Sequence, residues 1–175
     1  MKNIIILVSI LFIITGCSNQ ELTRKKAQNI IEKYYQFPNY IPINIIDESI
    51  FGRGFTKDYQ SLINQGYLNY QKRPHSRNCD IIITEKSSEY YAAKIPSYVR
   101  FIGCDVVFNE ISGIKLNDSG TKATVYYSLR YTNITPFGRV YNLKEGHLTE
   151  ERDFFELYDD GWRIKESEKN FLPKK

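Results

Sequence analysis

The sequence predicts an α+β protein: N-terminal helices with a short wing-like hairpin, followed by a C-terminal curved antiparallel sheet. Three observations carry that prediction. Ala27, Ile30, Ile31 and Tyr34 recur at helical spacing, and so do Tyr59, Leu62 and Ile63. From Lys122 to Thr132, the set Ala123, Val125, Tyr127, Leu129 and Tyr131 alternates with more polar neighbours, the period of a strand with one buried face. Near the end, FFELY and WRIKES flank Asp159, Asp160 and Gly161, the residues of a tight hairpin turn.

Taken in order, the chain opens with MKNIIILVSILFIITGC, in which one lysine precedes an apolar run from Ile4 to Ile14 and small or polar residues lead to Cys17. This is the layout of an export signal. The run falls short of the roughly 20 apolar residues that cross a bilayer. Ile14, Thr15, Gly16 and Cys17 resemble the lipobox of bacterial lipoproteins, with Ile where Leu is commonest. The resemblance implies cleavage before Cys17, a diacylglyceryl thioether on its sulfur, a palmitate-type acyl chain on its new amino group and a stable lipid anchor. Ser18 after the cysteine resembles the outer-membrane pattern in a two-membrane cell, which implies a domain facing the periplasm. Removing residues 1–16 leaves 175 − 16 = 159 residues. That suits one compact domain, divisible into a helix-rich 17–97 and a β-rich 98–175.

The first helix is expected between Ser18 and Phe37, with Ser18 and Glu21 as a capping box and Pro38 as the stop. It begins beside the lipidated cysteine, so Arg24, Lys25 and Lys26 are placed to meet anionic headgroups. Residues 40–55 read as an irregular connection or short strand. A second helix follows Thr56 and closes at Gly66. YLNYQ and DIIIT form two short strands around a polar turn, and EKSSEYYAAK is helix-prone up to Pro96. The run LINQGYLNYQKRPHSRNCDIIITEKSSEYY resembles the helix, wing hairpin and helix of winged-helix domains. In an exported chain this implies a scaffold or protein-binding surface, not a DNA reader. Ile111–Leu116 and the Lys122 strand meet through Asn117, Asp118, Ser119 and Gly120. The closing hairpin resembles the last strands of curved-sheet folds of the nuclear-transport-factor-2 kind.

CDIIITE at residues 79–85 recurs as CDVVFNE at 104–110. The match covers seven residues, too few for a repeat architecture, and fits two buried strands. In an oxidising envelope the non-lipidated pair Cys79 and Cys104 favours a disulfide closing a loop of about 25 residues, worth roughly 3 to 4 kcal/mol. A metal site combining Cys79 and Cys104 with His75 and either Asp80 or Asp105 is the alternative, but no CxxC or HExxH supports it. Asp80 and Asp105 otherwise mark strand starts.

No nucleophile elbow, phosphate loop or dinucleotide fingerprint is present, and Gly52, Arg53 and Gly54 lack the third glycine. The formal charge of +4, reduced to +3 by loss of Lys2, argues against nucleic acid as a partner. No cofactor is implied. His147 lies among Glu145, Glu150, Glu151 and Asp153, the one candidate acid and base group. The unusual feature is fourteen tyrosines, with doublets at Tyr34 and Tyr35, Tyr90 and Tyr91, and Tyr126 and Tyr127. On a strand a doublet sends one ring in and one out, so Tyr126 is expected on the surface. Tyr126, Tyr90 and Tyr91 are candidate partner-binding residues. The expectation is a lipid-anchored envelope protein that binds, assembles or inhibits another envelope protein without catalysis. A small enzyme with a curved-sheet pocket and a peptidoglycan- or glycan-binding lipoprotein stand as alternatives.

Overall fold

A computed structural model describes residues 21–46, 57–72, 74–75, 79–165 and 172–173. Cys17, Ser18 and the 47–56 connection lie outside them. Helix α1 (Arg24–Tyr35) is capped by Thr23, not Ser18: the Thr23 side chain accepts from the Lys26 amide, and its extended backbone cannot continue the helix. Ala27 and Ile31 form its buried stripe, with Leu22 just ahead. Tyr34 is half exposed, and Tyr35 turns inward instead.

Strand β1 (Asn39–Ile46) takes the short-strand alternative in the first part of residues 40–55. Helix α2 (Lys57–Asn64) closes at Gly66, whose φ of +76° only glycine adopts without strain. β2 (Leu68–Lys72) and β3 (Cys79–Ile83) pair as a separate hairpin. The helix expected over EKSSEYYAAK is a single turn, α3 (Glu85–Ser88). Thr84 and Ser87 cap each other there, and Tyr91–Ile95 becomes strand β4 because β5 offers it a backbone partner. Pairing outweighs the helix propensity of Ala92, Ala93 and Lys94. Strands β5 (Tyr98–Leu116) and β6 (Lys122–Thr132), helix α4 (Pro136–Val140), and strands β7 (Leu148–Tyr158), β8 (Gly161–Ile164) and β9 (Leu172–Pro173) complete the chain.

The curled antiparallel sheet runs β8-β7-β6-β5-β1-β9, with β4 also beside β5. β1 and β4 come from before residue 98 yet pair with β5, so the sheet is shared across that division. β5 organises the fold. Its register slips at Gly103, Asn109 and Ser112, each an extra residue opposite an uninterrupted partner. A one-residue slip exchanges the faces of a strand, and a bulge bends it. Three slips therefore keep Val99, Phe101, Cys104, Val106, Phe108, Ile111 and Ile114 on one inner face while the strand curls.

Two cores lie along that inner face. One sets Leu22, Ala27 and Ile31 against Val106, Ile111, Val125, Tyr127, Phe155 and Trp162. The other sets Leu62, Leu68, Ile81 and Phe137 against Ile43, Ile45, Val99 and Phe101. Ile41 packs against both. Between β4 and β6, the edge of β5 at residues 102–104 is covered by Thr135 and α4: the Thr135 amide donates to the Gly103 carbonyl at 2.9 Å and its hydroxyl to Ile102 O at 2.7 Å.

Candidate functional site

The inner face carries one buried polar cluster. Asp153, 1% exposed, accepts from Tyr127 at 2.7 Å and from Tyr35 at 2.9 Å. Burial, then the Asp153 charge, pushes the Tyr127 hydroxyl far above the ordinary tyrosine value. Both phenols thus serve as donors that satisfy a buried carboxylate. The cluster fastens the end of α1 to the sheet around a buried carboxylate. At the other end of α1, Arg24 donates to the carbonyls of Ile111 and Ser112 at 2.6 and 3.2 Å. Arg24 is therefore turned to the sheet, leaving Lys25 exposed at the head of the helix.

The His147 group is dispersed. Its imidazole is exposed and lies 5.4 Å from the Tyr131 ring, while Glu145 accepts from the Ile134 amide at 3.3 Å. β7 sends Glu151 and Asp153 inward, opposite Tyr127 and Val125, and Glu150 outward, opposite Ser128. No acid and base pair is assembled around His147 among the described residues.

The expected bridge between Cys79 and Cys104 is not formed. Cys104 is a free, fully buried thiol on β5, and Cys79 begins β3 in the other sheet, opposite Lys72. The two matching segments are indeed both strands, but of different sheets. Burial raises the Cys104 thiol to about 12, which makes it inert at neutral pH. Asp105 accepts from Asn133 at 3.0 Å. Among the described residues no three His, Cys, Asp or Glu side chains gather as a metal site.

One accessible feature lies on the outer face of β5 to β8. A cleft of about 420 Å³ is floored by Tyr126 and Phe154, 38% and 51% exposed, and rimmed by Lys115, Lys122, Lys165 and Glu156. Tyr126 lies opposite Arg152 and Phe154 opposite Thr124, so the two rings are diagonal neighbours on adjacent strands. The Arg152 guanidinium sits 5.8 Å from the Phe154 ring centre. Glu156 is bridged by Lys122 at 3.5 Å and Lys165 at 3.9 Å. The Tyr158 hydroxyl, followed by these two lysines, holds the Glu156 carboxyl below its usual value. Against known proteins, the chain matches no family model, no curated sequence and no solved structure.

What the arrangement can do therefore follows from its own chemistry. An apolar floor with a cationic rim is suited to binding. Of the tyrosines singled out by sequence, Tyr126 belongs to this cleft. Tyr91 is exposed on β4, level with Phe101, whereas Tyr126 is level with Gly113, so the two doublets serve different ends of β5. Tyr90 packs 6.1 Å from Tyr67 and 6.0 Å from Phe137 and belongs to the second core. Phe154 is a cleft residue that the sequence expectations above do not include. Its signal was the Phe154 and Phe155 doublet, which obeys the same in-and-out rule as Tyr126 and Tyr127.

Proposed function

We propose that the protein is a lipid-anchored component of the bacterial cell envelope, held through Cys17 at the outer membrane, that binds another envelope protein without catalysing a reaction. The observation that carries the reading is the contrast between the two faces of the sheet. The inner face is filled by α1, the hairpin and α4, while the outer face presents Tyr126 and Phe154 in an open cleft. Aromatic side chains in a recess are the usual anchors of a protein interface. The curved sheet wrapped on a helix also fits the resemblance to nuclear-transport-factor-2-like folds, here with its concave side occupied.

Two measurements test the reading. Labelling with radioactive palmitate should mark the wild type in the outer-membrane fraction and leave Cys17→Ala unlabelled and unprocessed; label in the variant removes the anchor. Crosslinking in intact cells should yield a protein adduct that Tyr126→Ala with Phe154→Ala abolishes. An adduct of undiminished yield in that double variant removes the cleft from the function.

A further inference from the structure

We infer that the occupant of the Tyr126 and Phe154 cleft is an acidic segment of the partner protein, a stretch of chain whose carboxylates flank an apolar or aromatic side chain. This rests on the proposed binding role and assigns the chemistry of what is bound. Among the described residues, the rim brings three lysines around one glutamate, a local excess of +3 − 1 = +2, in a protein whose whole formal charge is +4. Lys115 has no carboxylate partner among the described residues. Lys122 and Lys165 share Glu156, which holds their ammonium groups at the rim and leaves each with donors to spare.

The three cations surround an apolar floor. A carboxylate arriving beside an aromatic ring thus meets an ammonium group where water is already partly excluded, and such a pair gains more than one in open solvent. Complementary charge around an aromatic anchor sets on-rate and partner choice, and the anchor supplies the affinity. A planar anionic bilayer fits less well. It cannot enter a recess, and Glu156 at the rim would face its headgroups. A glycan fits less well too, because polar amides and carboxylates beside a flat ring hydrogen-bond sugar hydroxyls, whereas this rim sets three ammonium groups against one amide, Asn117, and one carboxylate, Glu156, already bridged by two of the lysines.

The experiment places photoreactive benzoylphenylalanine at Phe154 in the full-length protein in intact envelopes and sequences the crosslinked peptide. A control probe replaces Tyr91, at the far end of β5. The expected adduct is a peptide with an excess of Asp and Glu within a few residues of the crosslink. Its yield should fall roughly tenfold with Lys115→Glu and Lys122→Glu together, and fall with rising salt. Any adduct at Tyr91 should stay unchanged, and circular dichroism reports whether the charge variant folds. Lys115→Gln with Lys122→Gln gives a milder loss of the same sign if the reversal does not fold. A protein adduct on a neutral or basic segment, insensitive to both charge variants, overturns the acidic occupant and leaves the binding role standing. Adducts to lipid or glycan alone, or none above background, overturn both.

Discussion

The two ends of the curled sheet are held by different means. Around α1, the sheet is fastened by polar contacts at both ends of the helix, Arg24 on the bulge carbonyls and Tyr35 on Asp153, over a core of alternating aliphatic and aromatic residues. At the hairpin end, the fastening is aromatic and backbone contact. Phe137 stacks on Phe101 with ring centres 4.0 Å apart and planes 6° from parallel, and Gly138 meets Gly103 so closely that an added Cβ would stand 2.1 Å from the Gly103 carbonyl oxygen. The first arrangement depends on side chains, some of them buried, that reach from the helix to the sheet. The second depends on two backbones that touch, and it places the bulge at Gly103 where α4 must pass.

The comparison breaks most directly at that contact. Phe137→Ala should destabilise the protein by about 3 to 5 kcal/mol, the range for removing a fully buried aromatic ring. Gly138→Ala should cost roughly 3 kcal/mol without removing any contact, since the methyl meets backbone that cannot rotate away. Urea unfolding of both variants measures these losses. A loss below 1 kcal/mol in Gly138→Ala would mean that α4 is free to lift from β5 and that the hairpin end is not fastened there.

At the α1 end the largest effect belongs to Asp153. Asp153→Asn should cost about 2 kcal/mol, because one amide oxygen replaces a charged acceptor serving the buried Tyr127 and the part-buried Tyr35. Tyr35→Phe should cost about 1 kcal/mol, and the double variant should cost less than the sum of the two, as befits partners in one network. Strict additivity would show that Tyr35 does not depend on Asp153.

The way the two ends are built also explains what could be read in advance. β6 was legible because its side chains alternate without interruption, and so was the hairpin of β7 and β8. β5 was not. Its three slips scramble the period-2 pattern of YVRFIGCDVVFNEISGIKL, so the longest strand among the described residues shows in the sequence only as separate pieces, the run CDVVFNE and Ile111–Leu116. The sequence around the single turn of α3 suggests a longer helix because the partner of Tyr91–Ile95 lies on that disguised strand. Of the cleft, Tyr126 followed from its doublet. The gathering of Lys115, Lys122 and Lys165 did not, because it depends on three strands being brought side by side.

Cys104 sits where the two ends meet, opposite Ile41, and it sharpens the comparison through pH. Its folded thiol is raised from an ordinary value near 9 to about 12 by burial. A raised folded value means that its contribution is complete below the unfolded value and is lost as pH rises towards the folded one. The wild type should therefore lose stability from about pH 9 upwards, and Cys104→Ala should lose about 1.4 kcal/mol less per pH unit between pH 9 and 11. Urea midpoints under reducing conditions give both slopes. Equal slopes would place the thiol in contact with water or in a bond to Cys79.

The smallest effect is expected at Gly113, and it isolates what distinguishes the two ends. Gly113 lies within β5 opposite Tyr126, one residue beyond the Ser112 slip, as Gly103 is itself the extra residue of its own. Both look alike in sequence, each a glycine in a run of apolar and polar residues. Yet a Cβ at Gly113 would meet only the Tyr126 ring, at 3.7 Å, an ordinary contact, whereas at Gly103 it would stand 2.8 Å from the Ile43 side chain and 3.1 Å from the Ile41 carbonyl oxygen. Glycine weakens a strand by leaving the unfolded chain more freedom. Gly113→Ala should then change stability by no more than about 0.5 kcal/mol, with the sign towards stabilisation, while Gly103→Ala destabilises. The methyl beneath Tyr126 would also fix that ring on the cleft floor, so crosslinking through Phe154 should persist in Gly113→Ala. A loss at Gly113 as large as that at Gly103 would show that the outer face around Tyr126 is as tightly constrained as the seam beneath α4, and would remove the distinction between the two ends.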